Sequence, residues 1–239
     1  MGAAIGTAGW SIAAREADRF PAEGWSLERY AAVFGAVEIN SSFHRPHRAS
    51  TWTRWAQSVP EGFRFSVKMP KTISHEHRLL DCEEAVARFF GEAAALGSKL
   101  SVLLLQLPPR LAFDAAVAEA FFAHALPRAP ARLACEPRHP SWFEPGADAL
   151  LAGLGVVRVA ADPAVVPAAA LRGGDRSLAY WRLHGSPAMY RSAYGAVRLA
   201  RYAALIRTKL DAGRDVWCMF DNTASSAATG DALDLLSKI

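Results

Sequence analysis

The side chains best suited to chemistry in this 239-residue chain stand just past short apolar runs. The densest group lies in Arg132-Leu133-Ala134-Cys135-Glu136-Pro137-Arg138-His139-Pro140-Ser141-Trp142, where an apolar strand runs into a carboxylate, a guanidinium and an imidazole. Proline cannot donate a ladder hydrogen bond, so Pro137 ends the strand near Glu136 and leaves those groups at its C-terminal tip. The same order of apolar run, polar group and turn puts Trp10, Glu38, Asn40, Lys68, Gln106, Asp162, Arg182, His184 and Asn222 at comparable positions.

Glu38 and Glu136 suit a general acid/base pair, because burial raises a carboxyl pKa, a neighbouring cation lowers it, and two such groups can take opposite roles. His184 is the third candidate for proton transfer. Lys68, Arg138 and Arg182 suit an anion clamp, arginine presenting a planar fork to carboxylate or phosphate. Trp10 offers a face for a sugar or base, and Asn40, Gln106, His139, Asp162 and Asn222 complete the ligand-binding set. Each also has a plainer role: the carboxylates and arginines neutralise one another, His184 is held structurally, and Trp10 walls the mouth. His75 and His77 fall in a polar loop, 71–81, and read as solvated. Cys135 has the parity opposite to Glu136 and reads as an inert core thiol.

Glu38, Glu136, Asp162 and His184 also contain the donors of a divalent metal site, but the nearby cations compete for the same carboxylates, so no metal is expected. No P-loop, dinucleotide fingerprint, HExxH or GxSxG occurs, and no cofactor is expected.

These residues must be held by regular elements. Strands are expected over residues 4–10, 36–43, 63–70, 100–107, 132–136, 156–163, 178–185 and 215–222. Helices are expected near 26–34, 82–96, 114–127, 146–154, 199–210 and 231–239, and from Ser50 through Trp52, Trp55 and Ala56, with Ser26, Ser50 and Asp114 as caps and Gly97 as a stop. Strands alternating with helices imply parallel pairing through right-handed crossovers. Eight such units make a (β/α)8 TIM barrel, one α/β domain over residues 1–239, with an open doubly wound sheet as the rival. Helices cover the outer face of such strands, so polar residues sharing a parity should point to the axis. That rule sends Arg64, Ser66 and Lys68 inward, with Arg132, Glu136 and Arg138, Arg158 and Asp162, and Arg182 and His184. Glu38, Glu136 and Asp162 are then the expected partners of the arginines.

Composition narrows the class. The chain is 51% hydrophobic and 21% charged, which is globular rather than disordered. A net charge of +4 and a pI of about 9.1 favour anionic partners weakly and show no basic tail. Cys82, Cys135 and Cys218 are far apart and odd in number, which fits a reducing cytoplasm. No signal peptide, myristoylation site or membrane span is expected.

Seven motifs stand in one order: Ile5-Gly6-Thr7-Ala8-Gly9-Trp10, Val37-Glu38-Ile39-Asn40-Ser41-Ser42-Phe43, Gly62-Phe63-Arg64-Phe65-Ser66-Val67-Lys68, Leu105-Gln106-Leu107-Pro108-Pro109, Glu136-Pro137-Arg138-His139-Pro140-Ser141-Trp142, Arg182-Leu183-His184-Gly185 and Asp221-Asn222-Thr223. In these the chain resembles the domain-of-unknown-function 72 family, also called YecE-like, over nearly its whole length. The resemblance implies a TIM barrel and no established reaction. Pro137 stands where the family usually has an aromatic, and Asp221 where it usually has Asn. The stretch after Thr223 lacks the family's Gly-aromatic pair, so the rim of the last strand departs from the pattern.

The expected function is therefore binding of a small anionic or polyhydroxylated ligand, sugar- or phosphate-bearing, at the C-terminal mouth of the barrel, with carboxylate acid/base chemistry. On that reading Glu136→Gln removes turnover and leaves stability nearly unchanged. A metal-dependent phosphodiesterase or nuclease acting on nucleic acid is the less favoured alternative, and a non-catalytic ligand-binding or interaction protein is the third.

Overall fold

The computed structural model describes residues 2–239. Ten strands and eight α-helices alternate along most of the chain. The strands are β1 (Ala3–Thr7), β2 (Ala36–Ile39), β3 (Arg64–Lys68), β4 (Leu100–Gln106), β5 (Arg132–Glu136), β6 (Val157–Arg158), β7 (Ala160–Asp162), β8 (Gly173–Gly174), β9 (Leu178–Leu183) and β10 (Asp215–Phe220). The helices are α1 (Ser26–Ala31), α2 (Ser41–His44), α3 (Ala49–Gln57), α4 (Glu83–Ala93), α5 (Ala115–Ala125), α6 (Pro145–Gly153), α7 (Gly195–Asp211) and α8 (Ala228–Leu236).

The expected single ring of strands is drawn as two ladders. One has the order β1-β10-β9-β7 and the other β2-β3-β4-β5-β6-β8, every pairing parallel except the two-residue β6–β8 contact. Two local features stand where the pairing of the expected ring is broken. Between β1 and β2 the Tyr30 hydroxyl replaces ladder bonds: it accepts from the Thr7 N–H at 2.8 Å and donates to the Ala36 carbonyl at 3.1 Å. A Cβ on Gly6 would collide with that carbonyl and hydroxyl, so only glycine admits the approach. Beyond it, a parallel bridge joins Ala8 to Glu38, and Gly9 N–H donates to the Glu38 carbonyl at 2.8 Å. The second interruption is at Val159, where the sixth strand changes partner: Val157–Arg158 pair with β5 and Ala160–Asp162 with β9.

Tyr30 is fully buried. Tyr30→Phe is expected to cost about 1–3 kcal/mol, because it strands a buried donor and a buried acceptor together. A fall in the urea midpoint without a change in slope checks it.

The helices cover one face of the strands and form the larger core, with Val37, Ile39, Phe65, Val67, Leu103, Leu105, Leu133 and Cys135 beneath them. The opposite faces of the two sheets share a smaller apolar cluster containing Ala36, Val102, Leu104, Ala134, Val157, Val159, Tyr180, Trp217 and Met219. The strand residues between the sheets therefore share one parity, as expected for β2, β3, β5 and β9. The sixth strand has the reverse phase. Arg158 points outward, where its Nε meets Asp148 Oδ1 at 2.8 Å and its guanidinium lies over Phe143. Asp162 also faces the helices, bonded to Arg198 Nη2 and the Tyr202 hydroxyl, each at 2.8 Å. A long arginine stem packs on an apolar face once its charge is matched, so the polar-means-inward rule fails there.

The helix ends vary in agreement. Asp114 caps α5 as expected, its Oδ1 accepting from Val117 N at 3.1 Å. Ser26 and Ser50 instead lie inside α1 and α3; at α1 the Glu28 carboxylate accepts the Trp25 N–H. Among the described residues no helix is long and apolar enough to cross a membrane.

Candidate functional site

One network ties the two sheets together above the small inner cluster. Arg182, on β9 and fully buried, uses Nε and Nη2 on Glu38 at 2.9 and 2.6 Å. Its Nη1 reaches Glu136 at 2.5 Å and its Nη2 reaches Asp221 at 3.0 Å. Tyr180, one inward position below, donates to Glu38 at 2.8 Å and accepts from the Ser66 hydroxyl at 2.9 Å. His184, one inward position above, sets Nε2 2.8 Å from Glu136 Oε1 and Nδ1 3.0 Å from Asp221 Oδ2. Arg138 Nη2 lies 2.8 Å from Glu136 Oε1 and 3.0 Å from His184 Nε2. Both ring contacts are hydrogen bonds when each nitrogen carries a proton, Nδ1–H donating to Asp221 and Nε2–H to Glu136, while Arg138 Nη2 donates to the same Glu136 oxygen.

Burial raises the Glu136 carboxyl pKa, but Arg182, Arg138 and His184 together overcome it and hold the group well below the usual range. The same contest, with Arg182 and His184 prevailing, lowers Asp221. Burial, then the Glu38 charge, pushes the Tyr180 phenol well above its ordinary value.

Lys68 stands apart. No carboxylate of the described residues lies within ion-pair distance of its amine; Nζ rests 4.0 Å from the centre of the Phe43 ring. Burial and Arg182 push its pKa down to about 8, against the opposing pull of Glu38, Glu136 and Asp221. His75 packs edge-on to the same Phe43 ring at 5.0 Å, and burial followed by the Lys68 charge lowers its pKa.

Five of the expected residues thus touch directly: Glu38, Glu136, Arg138, Arg182 and His184. Lys68 is their electrostatic neighbour, and Gln106 is in register with Glu136 on the adjacent strand. Asn40 begins α2 with a buried Oδ1 that has no partner. The other four lie elsewhere. Trp10 packs edge-on against Trp55 in a groove beside α1 and α3. His139 caps the turn Pro140–Phe143 through Ser141. Asp162 is on the helical side. Asn222 donates to Asp231 and the Ser192 carbonyl. With Asp162 turned away, the four-donor metal set is not assembled, and among the described residues no cluster of three His, Cys, Asp or Glu is arranged to hold an ion. Arg64 and Arg132 have inward parity but sit at the opposite strand ends, around a recess of about 620 Å³.

The chain matches the family described as "Protein of unknown function DUF72" over residues 4–239. It belongs to the DUF72 family. Among curated DUF72-like relatives, UPF0759 protein YecE of Escherichia coli K12 is 34% identical over 149 residues, 60% of this chain and 54% of that protein. The protein of the same name from Escherichia coli O157:H7 is 33% identical over 121 residues, 51% and 44% of the two chains. The aligned part of the chain spans about half the length of these relatives. The crystal structure of a DUF72 family protein from Enterococcus faecalis V583 superposes with a TM-score of 0.82 at 19% identity, covering 99% of this chain and 95% of that one. One from Thermotoga maritima MSB8 gives 0.78 at 22%, covering 98% of each. These likenesses establish a mixed α/β fold with parallel sheets.

The central network includes residues that the expected set omitted. Asp221, noted as a departure from the family pattern, bonds both Arg182 and His184. Tyr180 and Ser66 complete the base of the network. Parity pointed to all three: Tyr180 shares the face of Arg182 and His184, Ser66 that of Lys68, and Asp221 that of Trp217 and Met219. His75, read as solvated, is brought beside Lys68 by the turn Thr72–Glu76, which buries Ile73 and Ser74. Tyr190 could not be anticipated: its ring lies edge-on to His184 at 5.6 Å because the 185–194 loop folds back over the strand tip.

Proposed function

We propose that this protein binds a small anionic or polyhydroxylated ligand, such as a phosphate-bearing sugar, at the strand tips around Lys68 and Arg138. The observation that carries the reading is that Lys68 is a mouth cation with no carboxylate partner. The arginine clamp expected from the sequence is largely committed to Glu38, Glu136 and Asp221, so Arg182 serves as the keystone of the site. Arg138 spends Nη2 on Glu136, but its buried Nε has no partner, and neither does Asn40 Oδ1. Buried polar atoms left unpaired cost free energy, and a hydroxyl- or phosphate-bearing ligand supplies what they lack. Glu136 and His184, already linked, are the groups for acid/base work on such a ligand.

The same proposal takes the fold as one closed (β/α)8 domain over residues 1–239, since the Tyr30 hydroxyl, the Ala8–Glu38 bridge and the partner change at Val159 span the gaps between the two ladders. A closed barrel presents its strand C-termini as one mouth. Three buried free cysteines suit a reducing, cytoplasmic setting.

Thermal unfolding with phosphate, glucose 6-phosphate, glycerol 3-phosphate, glucose and glycerol tests the binding reading. A saturating anionic ligand is expected to raise Tm by about 5–10 °C. Lys68→Met and Arg138→Met should each remove that shift. No shift from any compound, or an equal shift in both variants, sinks the proposal.

A further inference from the structure

We infer that Lys68 forms an imine with a small aldehyde or ketone carrying an anionic or hydroxyl group, making the mouth a carbonyl-processing site; this rests on the ligand reading above. The ion pairs buried within the fold are made by arginine: Arg138 with Glu136, Arg158 with Asp148, and Arg182 with Glu38. The chain has five lysines, at positions 68, 71, 99, 209 and 238. Lys71 pairs with Glu76, and Lys99 donates to the Ala56 and Val59 carbonyls. Lys68 alone stands at an inward strand tip, half-buried, held against Phe43 and without a carboxylate on its amine. A site built only to hold an anion is better served by arginine, which keeps its proton; an amine can lose it and attack carbon.

The surroundings favour the free amine. With the pKa brought down to about 8, roughly a tenth of the side chain is neutral at pH 7, some hundreds of times more than for an ordinary lysine. Glu38 on β2, Glu136 on β5, Arg182 on β9, Asp221 after β10 and His75 in the 71–81 loop are the charged and titratable groups around it.

The step balances without a cofactor. The neutral amine forms a C–N bond at the carbonyl carbon while the carbonyl oxygen gains a proton. The carbinolamine then loses that oxygen as water, giving a protonated imine: R–NH3+ and O=CR2 become R–NH+=CR2 and H2O. The iminium withdraws electrons from the adjacent carbon and so acidifies its C–H.

Reductive trapping tests this on the intact protein. The protein is incubated with millimolar pyruvate or glyceraldehyde and sodium cyanoborohydride, then digested and mapped by mass. Lys68 is expected to carry the adduct at least tenfold faster than the other four lysines, with a rate that rises through about pH 8, and Lys68→Arg to lose it. Adducts spread evenly over the five lysines, or absent from Lys68, overturn the inference. If Lys68 is not trapped but the anion-dependent thermal shifts persist, the imine is wrong and the binding site stands. If both fail, the ligand reading falls as well.

Discussion

Arg182→Met is expected to cost at least about 3–5 kcal/mol, a large part of the ~5–15 kcal/mol that holds a typical domain together. The side chain is fully buried and uses Nε, Nη1 and Nη2 on Glu38, Glu136 and Asp221. Removing it leaves three carboxylates facing one another with only Arg138, Lys68 and His184 nearby. Three of the four lost bonds, two to Glu38 and one to Glu136, also connect β9 to the other sheet, so the loss reaches the packing between the ladders. Arg182→Lys should fall between wild type and Met, because one ammonium cannot span the three carboxylates in fork geometry. Adding Glu38→Gln to the Met variant should recover part of the loss, with a coupling of about 1–3 kcal/mol, since it deletes one of the stranded charges. Urea unfolding at pH 7.5 of these proteins and of the Glu38→Gln single variant measures the losses and the coupling. A Met variant within about 1 kcal/mol of wild type would show that the network is incidental to stability.

This changes what substitution at Glu136 means. From sequence, Glu136→Gln is a clean catalytic knockout. In the structure the carboxylate meets Arg182, Arg138 and His184, so the amide offers an NH2 to at least one donor. Lost turnover in Glu136→Gln therefore has to be read beside its stability.

Much of the network was legible because side-chain parity on a parallel strand follows from the pleat. Glu38, Ser66, Lys68, Glu136, Arg182 and His184 alternate with the apolar residues that the helices cover, and they meet between the sheets. The sixth strand was misread because its polar face is the one that meets the helices, where partners neutralise Arg158 and Asp162. Val157, Val159 and Ala161 oppose Arg158, Ala160 and Asp162, and only Asp148, Arg198 and Tyr202, contributed by helices, decide which set turns outward. That information is not local to the strand. The same holds for Trp10, whose surroundings are set by Trp55 on α3, and for His75, whose loop is pinned by Ile73. The expected single ring was read from the count of alternating units, whereas the two-ladder pattern depends on the Tyr30 phenol and on the partner change at Val159. Nothing in the spacing of Tyr30 marks its hydroxyl as a substitute for backbone bonds.

Acid should unfold this protein steeply, and Glu136→Gln should make the loss shallower. Glu136, Asp221 and Asp148 all have carboxyls held below their ordinary values of 4.5, 3.8 and 3.8. Burial raises each, and the adjoining arginines and hydrogen bonds more than reverse it. A carboxylate whose folded pKa is depressed gives its full stabilisation above the unfolded value and loses it as pH falls toward the folded one. Each contributes a slope of about 1.4 kcal/mol per pH unit within its window. Loss should therefore begin near pH 4.5 with Glu136 and steepen below 3.8 as Asp221 and Asp148 join it. Asp231 acts in the opposite sense, since burial raises its pKa despite bonds from Asn222 and Tyr194. Its contribution improves as pH falls toward 3.8, which blunts the first part of the decline and adds nothing below. Denaturant unfolding from about pH 7 down to pH 2.5 gives the profile directly. In Glu136→Gln the plateau at neutral pH should be lower and the slope below pH 4.5 smaller by about 1.4 kcal/mol per unit. An unchanged slope would place the acid sensitivity elsewhere, and a flat wild-type profile between pH 5 and 3 would contradict the ion-paired state of the whole network.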